Sequence, residues 1–397
     1  MKKEVIFLSN GHAEDTISCF IIKSLLKIFP SLNSVSFKAC PLVGEGHLYK
    51  KLGIEILGPC RSMPSDGFIA GNPLYFFKDL KAGWLSLYLG KIRALKKEKD
   101  KVRVVICVGD VFAVLTCLFS FLRKPVIFLP TAKSDYIGGH YFIEKLIMRK
   151  FCELVITRDE KTAISLKNYG INAAYLGNVM MDCLEVTGER FGIEDNAPVV
   201  GILPGSRKEA YENLKVILEA VRKIYLKDRK VKFFLSLAPS LDIEKTNLYL
   251  DKNWEKKDTG LEDKKKGVIA CLISKEKAVV KVVRGRFGDV VNLSKVIIGT
   301  AGMANEQAIG LGKPVVAFPG KGPQITEKFL RIQRKLLGGC VFIVKRDSEA
   351  IAEKVFSLLQ DFELLKKVAR IGKERMGEPG AAERIARLIG ERLTGGG

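Results

Sequence analysis

The chain alternates short runs of apolar residues with longer amphipathic segments, and this alternation constrains its fold more than any other feature. The apolar run at residues 5–8 is followed by a polar loop and by a segment, 14–28, whose apolar residues recur with helical spacing. The same unit recurs at 104–108, 126–129 and 154–157. Continuous apolar strands followed by amphipathic helices are typical of a parallel β-sheet that helices cover on both faces.

A second series of such units begins after a polar stretch. Periodicity weakens at 177–198, and strands resume at 199–203. Further β-rich runs lie at 232–237, 268–272, 296–298, 315–318 and 340–344. We therefore predict an α/β fold of two Rossmann-like, doubly wound domains that face a cleft, over residues 1–190 and 191–372, with a C-terminal helix (373–397) that crosses back to the first domain. Ligands of such domains bind beyond the C-terminal strand ends.

Composition excludes several classes of protein. The 66 Lys and Arg against 44 Asp and Glu give a net charge of +22, which predicts attraction to the phosphate of a nucleotide, a nucleic acid or an anionic membrane, although a solvated lysine-rich surface explains most of it. Nine isolated cysteines and three histidines predict no zinc site and a reducing compartment. The apolar run 111–122 is too short for the roughly 20 residues of a membrane span, and we find no signal-peptide pattern. We expect a cytoplasmic protein.

Two clusters carry chemistry, and the first is the loop 204–207. Gly205 permits close approach of a ligand, and Ser206 and Arg207 offer hydrogen-bond donors to a phosphate beside a helix start. An ordinary strand-to-helix turn with an incidental arginine explains these residues equally well.

The second cluster, at 298–307, ends a strand and opens a helix with small residues. Unpaired backbone N–H groups there can face a pyrophosphate, and Glu306, one turn into the helix, can accept both hydroxyls of a ribose. The combination indicates a sugar nucleotide, with at most one of Asn305 and Gln307 in contact with it. The candidates for donor binding are Thr300, Gly302, Met303, Ala304, Asn305 and Glu306.

These clusters, with the strand and loop 315–319 and the segment 322–324, resemble the C-terminal half of GT-B nucleotide-sugar glycosyltransferases, specifically lipid-A-disaccharide synthase and its relatives. Residues 175–182 are similar to that family's Gly-His/Asn-x-Met-x-Asp segment, and residues 107–110 resemble its Gly-x-Asp-x-x-Asp strand end. The resemblance covers nearly the whole chain and is stronger in the C-terminal half.

The resemblance implies inverting transfer of a hexosamine-type sugar from a UDP-sugar, without a metal ion or a cofactor. Inversion needs a base that deprotonates the acceptor. Asp110 ranks first and His12 second, although a helix cap is an equally good explanation of Asp110. Arg207 and the helix start at 302–304 would stabilise the departing UDP, and Gln324 would contact the donor sugar.

The acceptor side departs from the family. Residues 9–15 replace its Gly-Glu-x-Ser-Gly-Asp loop, and its Trp-rich loop has no match near 130–134. Asn10, Gly11 and Glu14 remain the acceptor-side candidates. The segment 74–95 combines aromatic, apolar and basic residues, which suits an anionic membrane interface at the inner face of the cell membrane and a lipid-linked acceptor. A packed helix with a Lys-rich end is the alternative.

Other functions compete with this hypothesis. A UDP-N-acetylglucosamine 2-epimerase shares the architecture and the donor site, and a sugar-nucleotide binder without turnover has the same sequence features. A nucleic-acid binder is disfavoured, because the basic residues are dispersed and no recognised RNA- or DNA-binding motif is present. Nothing in the sequence indicates an oligomeric state.

Overall fold

A computed structural model of the protein divides into two compact units. It describes residues 4–30, 35–61, 63, 78–120, 122, 125–194, 196–322 and 324–394. The first unit comprises Met1–Cys183 with Pro379–Gly397, and the second comprises Leu184–Glu378.

The first unit contains a parallel sheet with strand order β3-β2-β1-β4-β5-β6-β7 in its described residues. The strands are β1 (Glu4–Ser9), β2 (Ser36–Pro41), β3 (Glu55–Ile56), β4 (Val102–Gly109), β5 (Val126–Pro130), β6 (Leu154–Thr157) and β7 (Ala173–Tyr175). The connecting helices are α1 (His12–Ile28), α2 (His47–Lys51), α3 (Trp84–Glu98), α4 (Val111–Phe119), α5 (Phe142–Phe151) and α6 (Glu160–Asn168).

Both faces of this sheet are buried. Successive side chains of a strand point to opposite faces, so Val5 and Phe7 of β1 join one apolar core with α1, while Ile6 and Leu8 join another with α3, α4, α5 and α6. This arrangement explains why the strands are continuously apolar.

The second unit contains a mixed sheet with strand order β10-β11-β12-β9-β8-β13-β14-β15 in its described residues. The strands are β8 (Val199–Leu203), β9 (Lys232–Ser236), β10 (Trp254–Lys257), β11 (Val268–Ser274), β12 (Val279–Val283), β13 (Val296–Gly299), β14 (Val315–Ala317) and β15 (Val341–Ile343). The helices are α7 (Glu209–Lys227), α8 (Ile243–Thr246), α9 (Leu261–Lys265), α10 (Phe287–Leu293), α11 (Met303–Gly310), α12 (Glu327–Leu336), α13 (Ser348–Gln360) and α14 (Phe362–Met376).

Three features of this unit go beyond the predicted doubly wound domain. Strands β10, β11 and β12 pair antiparallel at one edge of the sheet. The amphipathic stretch 349–370 predicts a single helix, but it divides into α13 and α14 because the Asp361 side chain accepts the N–H of Leu364 at 2.9 Å and starts a new helix. The polar segment after residue 184 is held by buried Asp289, which accepts the N–H groups of Thr187 and Gly188 at 2.7 and 2.9 Å.

The last helix, α15 (Ala381–Thr394), belongs to the first unit and packs on α1. The Asp182 carboxylate accepts the N–H of Gly380 and, at 2.6 Å, that of Ala382, so it caps the helix start. Arg384 donates to the carbonyl of Leu176 at 2.7 Å. The 175–182 motif therefore holds the returning helix. No helix within the described ranges is long and apolar enough to cross a bilayer.

Candidate functional site

The two sequence clusters of the second unit meet at the C-terminal ends of β8 and β13. The N–H of Thr300 donates to the carbonyl of Leu203 at 2.9 Å, and its hydroxyl donates to the carbonyl of Pro204 at 2.9 Å. Gly205 has a φ of 108°, and a Cβ there would lie 3.1 Å from the Thr300 carbonyl oxygen, so a larger residue is disfavoured. Ser206 and Arg207 are exposed beside this junction.

Helix α11 starts at this junction, and its residues divide between an open and a buried group. Met303 is half-exposed, and Glu306 lies in the first turn and is partly exposed. Asn305, in contrast, is fully buried, and its amide donates to the carbonyl of Gly299 at 3.2 Å and to Gln333 at 3.1 Å. Glu306 is therefore accessible at the loop, whereas Asn305 supports the loop from its buried side.

Arg346 was not singled out from the sequence, yet it fixes the same loops. Its guanidinium donates to Oδ1 of Asn213 at 3.1 Å and to the carbonyl of Glu212 at 2.9 Å. The Asn213 amide in turn donates to the Thr300 hydroxyl at 3.2 Å. This relay links the start of α13 to the 204–207 loop. Its members are too far apart in sequence for a local motif to reveal them.

The loop that carries Gln324 lies against the same edge of the second unit. The N–H of Gly320 donates to the carbonyl of Ile325 at 2.8 Å, which closes the loop, while Pro323 lies outside the described residues. A Cβ at Gly320 would lie 3.2 Å from the Asn213 amide, so the loop packs on the relay. Gln324 is partly exposed there.

In the first unit, Asp110 follows β4 and meets Asn10, which follows β1. Oδ1 of Asp110 accepts the N–H of Phe112 at 2.8 Å, so the residue does cap α4, and the Asn10 amide also donates to the carboxyl. Gly109 has a φ of 130°, and a Cβ there would overlap the Asn10 side chain. Although Asp110 is accessible to solvent, partial burial of its carboxyl raises its pKa despite both hydrogen bonds.

The other acceptor-side candidates surround Asp110 on the β1 loop. Gly11 precedes α1 and leaves room for the Glu14 carboxylate, which accepts the hydroxyl of Thr131 at 2.7 Å. His12 is exposed and points towards the β2 loop, where a Cβ on Gly44 would lie 2.6 Å from its ring. The structure thus gathers Asn10, Glu14 and Asp110 at one sheet edge and directs His12 towards the neighbouring strand.

A charged cluster beside Asp110 was missed by the sequence reasoning. Nζ of Lys133 lies 2.7 Å from both carboxylate oxygens of Glu144 and 3.5 Å from the centre of the Tyr141 ring. Burial opposes ionisation of Glu144, but Lys133 holds its pKa below the ordinary value, while burial lowers the pKa of His140. Gly109 pairs with Pro130, and the N–H of Thr131 donates to the carbonyl of Gly109 at 3.1 Å, so the loop that carries Lys133 starts beside Asp110.

Buried polar groups support the β1 loop from beneath. The Ser9 hydroxyl donates to Oδ1 of Asp15 at 2.6 Å and lies 2.8 Å from the Tyr49 hydroxyl. Burial raises the pKa of Asp15 to about 6. Buried Lys91 donates to the carbonyl of Pro41 at 2.6 Å, which fixes the β2 loop.

The segment expected at a membrane interface, 74–95, is described only from residue 78, and residues 74–77 lie outside the described ranges. Trp84 stacks on Tyr88 with ring centres 5.3 Å apart, and Tyr88 stacks on Phe112 at 5.2 Å. The aromatic side chains of α3 therefore pack on α4, as the alternative interpretation predicts, while Leu85 and Leu89 stay exposed.

The described residues offer no cluster of metal-binding side chains. Within the described residues, His, Cys, Asp and Glu side chains form no group of three or more that could share a metal ion. Positive groups near the candidate donor loops include Arg207, Lys208, Lys321 and Arg346, together with the N-terminus of α11.

The chain was compared with known proteins. No protein-family model matches it. Lipid-A-disaccharide synthase of Geobacter sulfurreducens is 25% identical over 249 residues (56% of this chain and 58% of that protein), and the synthase of Syntrophotalea carbinolica is 25% identical over 244 residues (56% of each). The synthase of Myxococcus xanthus is 23% identical over 338 residues (79% of this chain and 80% of that protein). The chain thus spans little more than half the length of the first two relatives.

Several solved structures resemble the chain over nearly its whole length. UDP-GlcNAc 2-epimerase from Neisseria meningitidis bound to UDP-GlcNAc is 17% identical with a TM-score of 0.58, covering 98% of this chain and 99% of that one. The calicheamicin glycosyltransferase CalG4 is 13% identical with a TM-score of 0.64, covering 99% of each chain. At such low identity the likeness shows the fold. It confirms the predicted fold class, two Rossmann-like domains of GT-B architecture.

Proposed function

We propose that the protein is an inverting glycosyltransferase that moves a hexosamine-type sugar from a UDP-sugar to a lipid-linked acceptor at a membrane surface. The observation that carries the proposal is the convergence, in the second unit, of the 204–207 loop, Thr300 and the first turn of α11 with Glu306. The relatives named lipid-A-disaccharide synthase and the epimerase bound to UDP-GlcNAc support the same class of donor.

In the proposed donor complex, the diphosphate lies against the N-terminus of α11. Backbone N–H groups at 302–304 and the Arg207 guanidinium donate to its oxygens. Glu306 accepts the ribose hydroxyls, Gly205 and Ser206 line the phosphates, and Gln324 contacts the sugar. The small residues matter because a side chain at Gly205 would keep the backbone away from the ligand.

The proposed transfer is a direct displacement. Asp110 takes the proton of the acceptor hydroxyl as its oxygen attacks the anomeric carbon, and UDP leaves from the opposite face, so the configuration inverts. The raised pKa of Asp110 makes it a stronger base than a carboxylate of ordinary pKa. Arg207 and the α11 N-terminus stabilise the charge on UDP, which is the basis for proposing that no metal or cofactor takes part. His12 is the second candidate for the base.

The test is calorimetric titration of the full chain with UDP and UDP-GlcNAc, with magnesium or with a chelator. We expect metal-independent binding. Glu306→Ala should weaken UDP binding by about 1–3 kcal/mol, because a charge-assisted contact is lost. Glu327→Ala is the matched control, since Glu327 also lies in a first helical turn but pairs with exposed Arg331 at 2.6 Å. A wild-type protein that binds no uridine nucleotide would refute the proposal.

A second candidate is a UDP-GlcNAc 2-epimerase, which the structural neighbours favour. The two activities differ in what they require, because an epimerase converts UDP-GlcNAc without an acceptor. Incubation with UDP-GlcNAc alone, followed by NMR of the sugar, separates them. Appearance of the 2-epimer supports the epimerase, whereas an unchanged sugar in a sample that binds UDP supports the transferase.

A further inference from the structure

The start of α5 exposes three consecutive apolar side chains. Tyr141, Phe142 and Ile143 are 72%, 65% and 69% exposed, and Leu146 behind them is 44% exposed. We call Tyr141, Phe142 and Ile143 the apolar tip. Apolar side chains exposed singly are ordinary, but three in succession at the end of an element indicate a contact surface.

The geometry of the apolar tip favours a lipid bilayer over a folded protein as its partner. Phe142 and Ile143 are the first two residues of α5 and lie about 100° apart around its axis, while Tyr141 precedes them as the N-cap with an extended backbone, so the three side chains do not follow one helical face. A flat protein surface cannot contact all of them, whereas a lipid phase surrounds an inserted helix end. The tip is also held in place, because Glu144 accepts the N–H of Tyr141 at 3.0 Å.

Basic side chains follow the apolar tip along the helix. Lys145 and Arg149 share one i, i+4 row of α5, and Lys150 lies on the row of Phe142. With a rise of about 1.5 Å per residue, the cations lie roughly 6 and 12 Å behind the tip. This order matches a bilayer boundary, in which apolar groups enter the acyl region and cations remain at the anionic headgroups.

Two acidic residues of this region, Glu144 and Glu153, are paired with cations. Both oxygens of Glu144 lie 2.7 Å from Lys133. Glu153, just after the helix, pairs with Arg392 at 2.7 Å. These pairings reduce the repulsion that the two carboxylates would exert on an anionic surface near the cations of α5.

The apolar tip also adjoins the candidate base. The Tyr141 ring contacts Lys133, and Thr131, two residues before Lys133, donates its N–H to the carbonyl of Gly109, next to Asp110, at 3.1 Å. An acceptor whose hydroxyl reaches Asp110 would thus have its lipid chain beside Tyr141, Phe142 and Ile143.

We propose that the apolar tip inserts into a lipid bilayer that carries anionic headgroups, and that this contact presents the lipid-linked acceptor to Asp110. Because it assumes a lipid-linked acceptor, this assignment rests on the proposed function. It moves the membrane contact from the aromatic residues of α3, which pack on α4, to the start of α5.

The test is flotation of the full chain with phosphatidylcholine vesicles, with and without phosphatidylglycerol. Phe142→Ser combined with Ile143→Ser should lower partitioning into the anionic vesicles about tenfold or more. Arg149→Glu combined with Lys150→Glu should abolish the preference for phosphatidylglycerol. Phe142→Leu with Ile143→Leu should retain partitioning because it keeps the apolar surface.

Leu248→Ser combined with Leu261→Ser is the matched control, since both residues are about equally exposed but lie in the second unit. Unchanged partitioning of the Phe142→Ser, Ile143→Ser variant overturns the assignment. Light scattering without vesicles gives a second such outcome. If the wild type is a dimer and the Phe142→Ser, Ile143→Ser variant is a monomer, the tip binds a second copy and the assignment is overturned. UDP titration of the same samples separates this failure from that of the proposed function.

Discussion

The two units place their candidate sites at equivalent sheet edges, but they hold the site loops with different kinds of group. In the second unit, the supporting side chains do not change charge near neutral pH, since Asn305 binds Gln333, Asn213 binds Thr300 and the Arg346 guanidinium binds Asn213. In the first unit, the loop supports are ionisable, with Asp15 beneath the β1 loop and the Lys133–Glu144 pair beside Asp110.

This difference suits the second unit to binding a ligand and the first unit to proton transfer. A loop held by amides and hydroxyls keeps one shape at every physiological pH, which suits a site that offers fixed N–H groups to a permanently charged ligand. A loop held by carboxylates and amines responds to pH and to neighbouring charge, which suits a site where a proton moves. We therefore expect pH and charge substitutions to act on the first unit, and loss of loop contacts to act on nucleotide affinity in the second.

The largest effect is expected from Asp110→Asn. Loss of the base should reduce turnover about 100- to 10,000-fold, while UDP affinity stays that of the wild type. Asparagine still caps α4, so thermal stability should hardly change. Measurement of turnover and of UDP binding on one preparation checks both statements. Full turnover in this variant would move the base to His12, and His12→Gln would then show the loss instead.

Apolar runs predicted the central strands because a strand that is buried on both faces consists almost entirely of apolar residues. β6 and β8 begin and end where the sequence predicts them. β2 was missed because Lys38 interrupts it, and this lysine is buried only because Glu4 and Glu98 each pair with it at 3.0 Å. A partner from another strand and another helix cannot be read from a local pattern.

The site was predictable to a similar extent. Loops at strand ends were identified because parallel strands bring their C-terminal ends to one edge, and the structure brings Gly205 to Thr300 and Asn10 to Asp110. Arg346 was not predicted because its partner Asn213 lies 133 positions away in the sequence. Lys133 was not predicted because it lies beside Asp110 only where β4 and β5 are neighbouring strands of the sheet.

Asp15 provides a pH test of the first unit. Its pKa is about 6 in the folded protein and 3.8 as its ordinary value, so the folded state binds the extra proton between these limits. The free energy of unfolding therefore falls as pH rises from about 4 to about 6. Asp15→Asn keeps an acceptor for Ser9, and at pH 7 we expect it to be more stable than the wild type by up to about 3 kcal/mol.

Denaturant unfolding followed by Trp84 fluorescence, in a Trp254→Phe background, reports on the first unit because the chain has two tryptophans. Asp100→Asn is the control, since Asp100 is exposed. A stability difference between wild type and Asp15→Asn that is the same at pH 4 and pH 7 would contradict the expectation.

The smallest effect is expected from the Arg346 relay. Arg346→Gln removes the two hydrogen bonds to Asn213 and Glu212 and leaves Thr300 with less support, so UDP affinity should fall about tenfold. Arg346→Lys should show most of this loss, because an ammonium cannot reproduce two donors in one plane. Lys345→Gln, at the exposed neighbouring position, controls for charge. Equal Kd values for all four proteins would mean that the second unit holds its loops without Arg346, and the contrast between the units would then rest on Asn305 and Gln333.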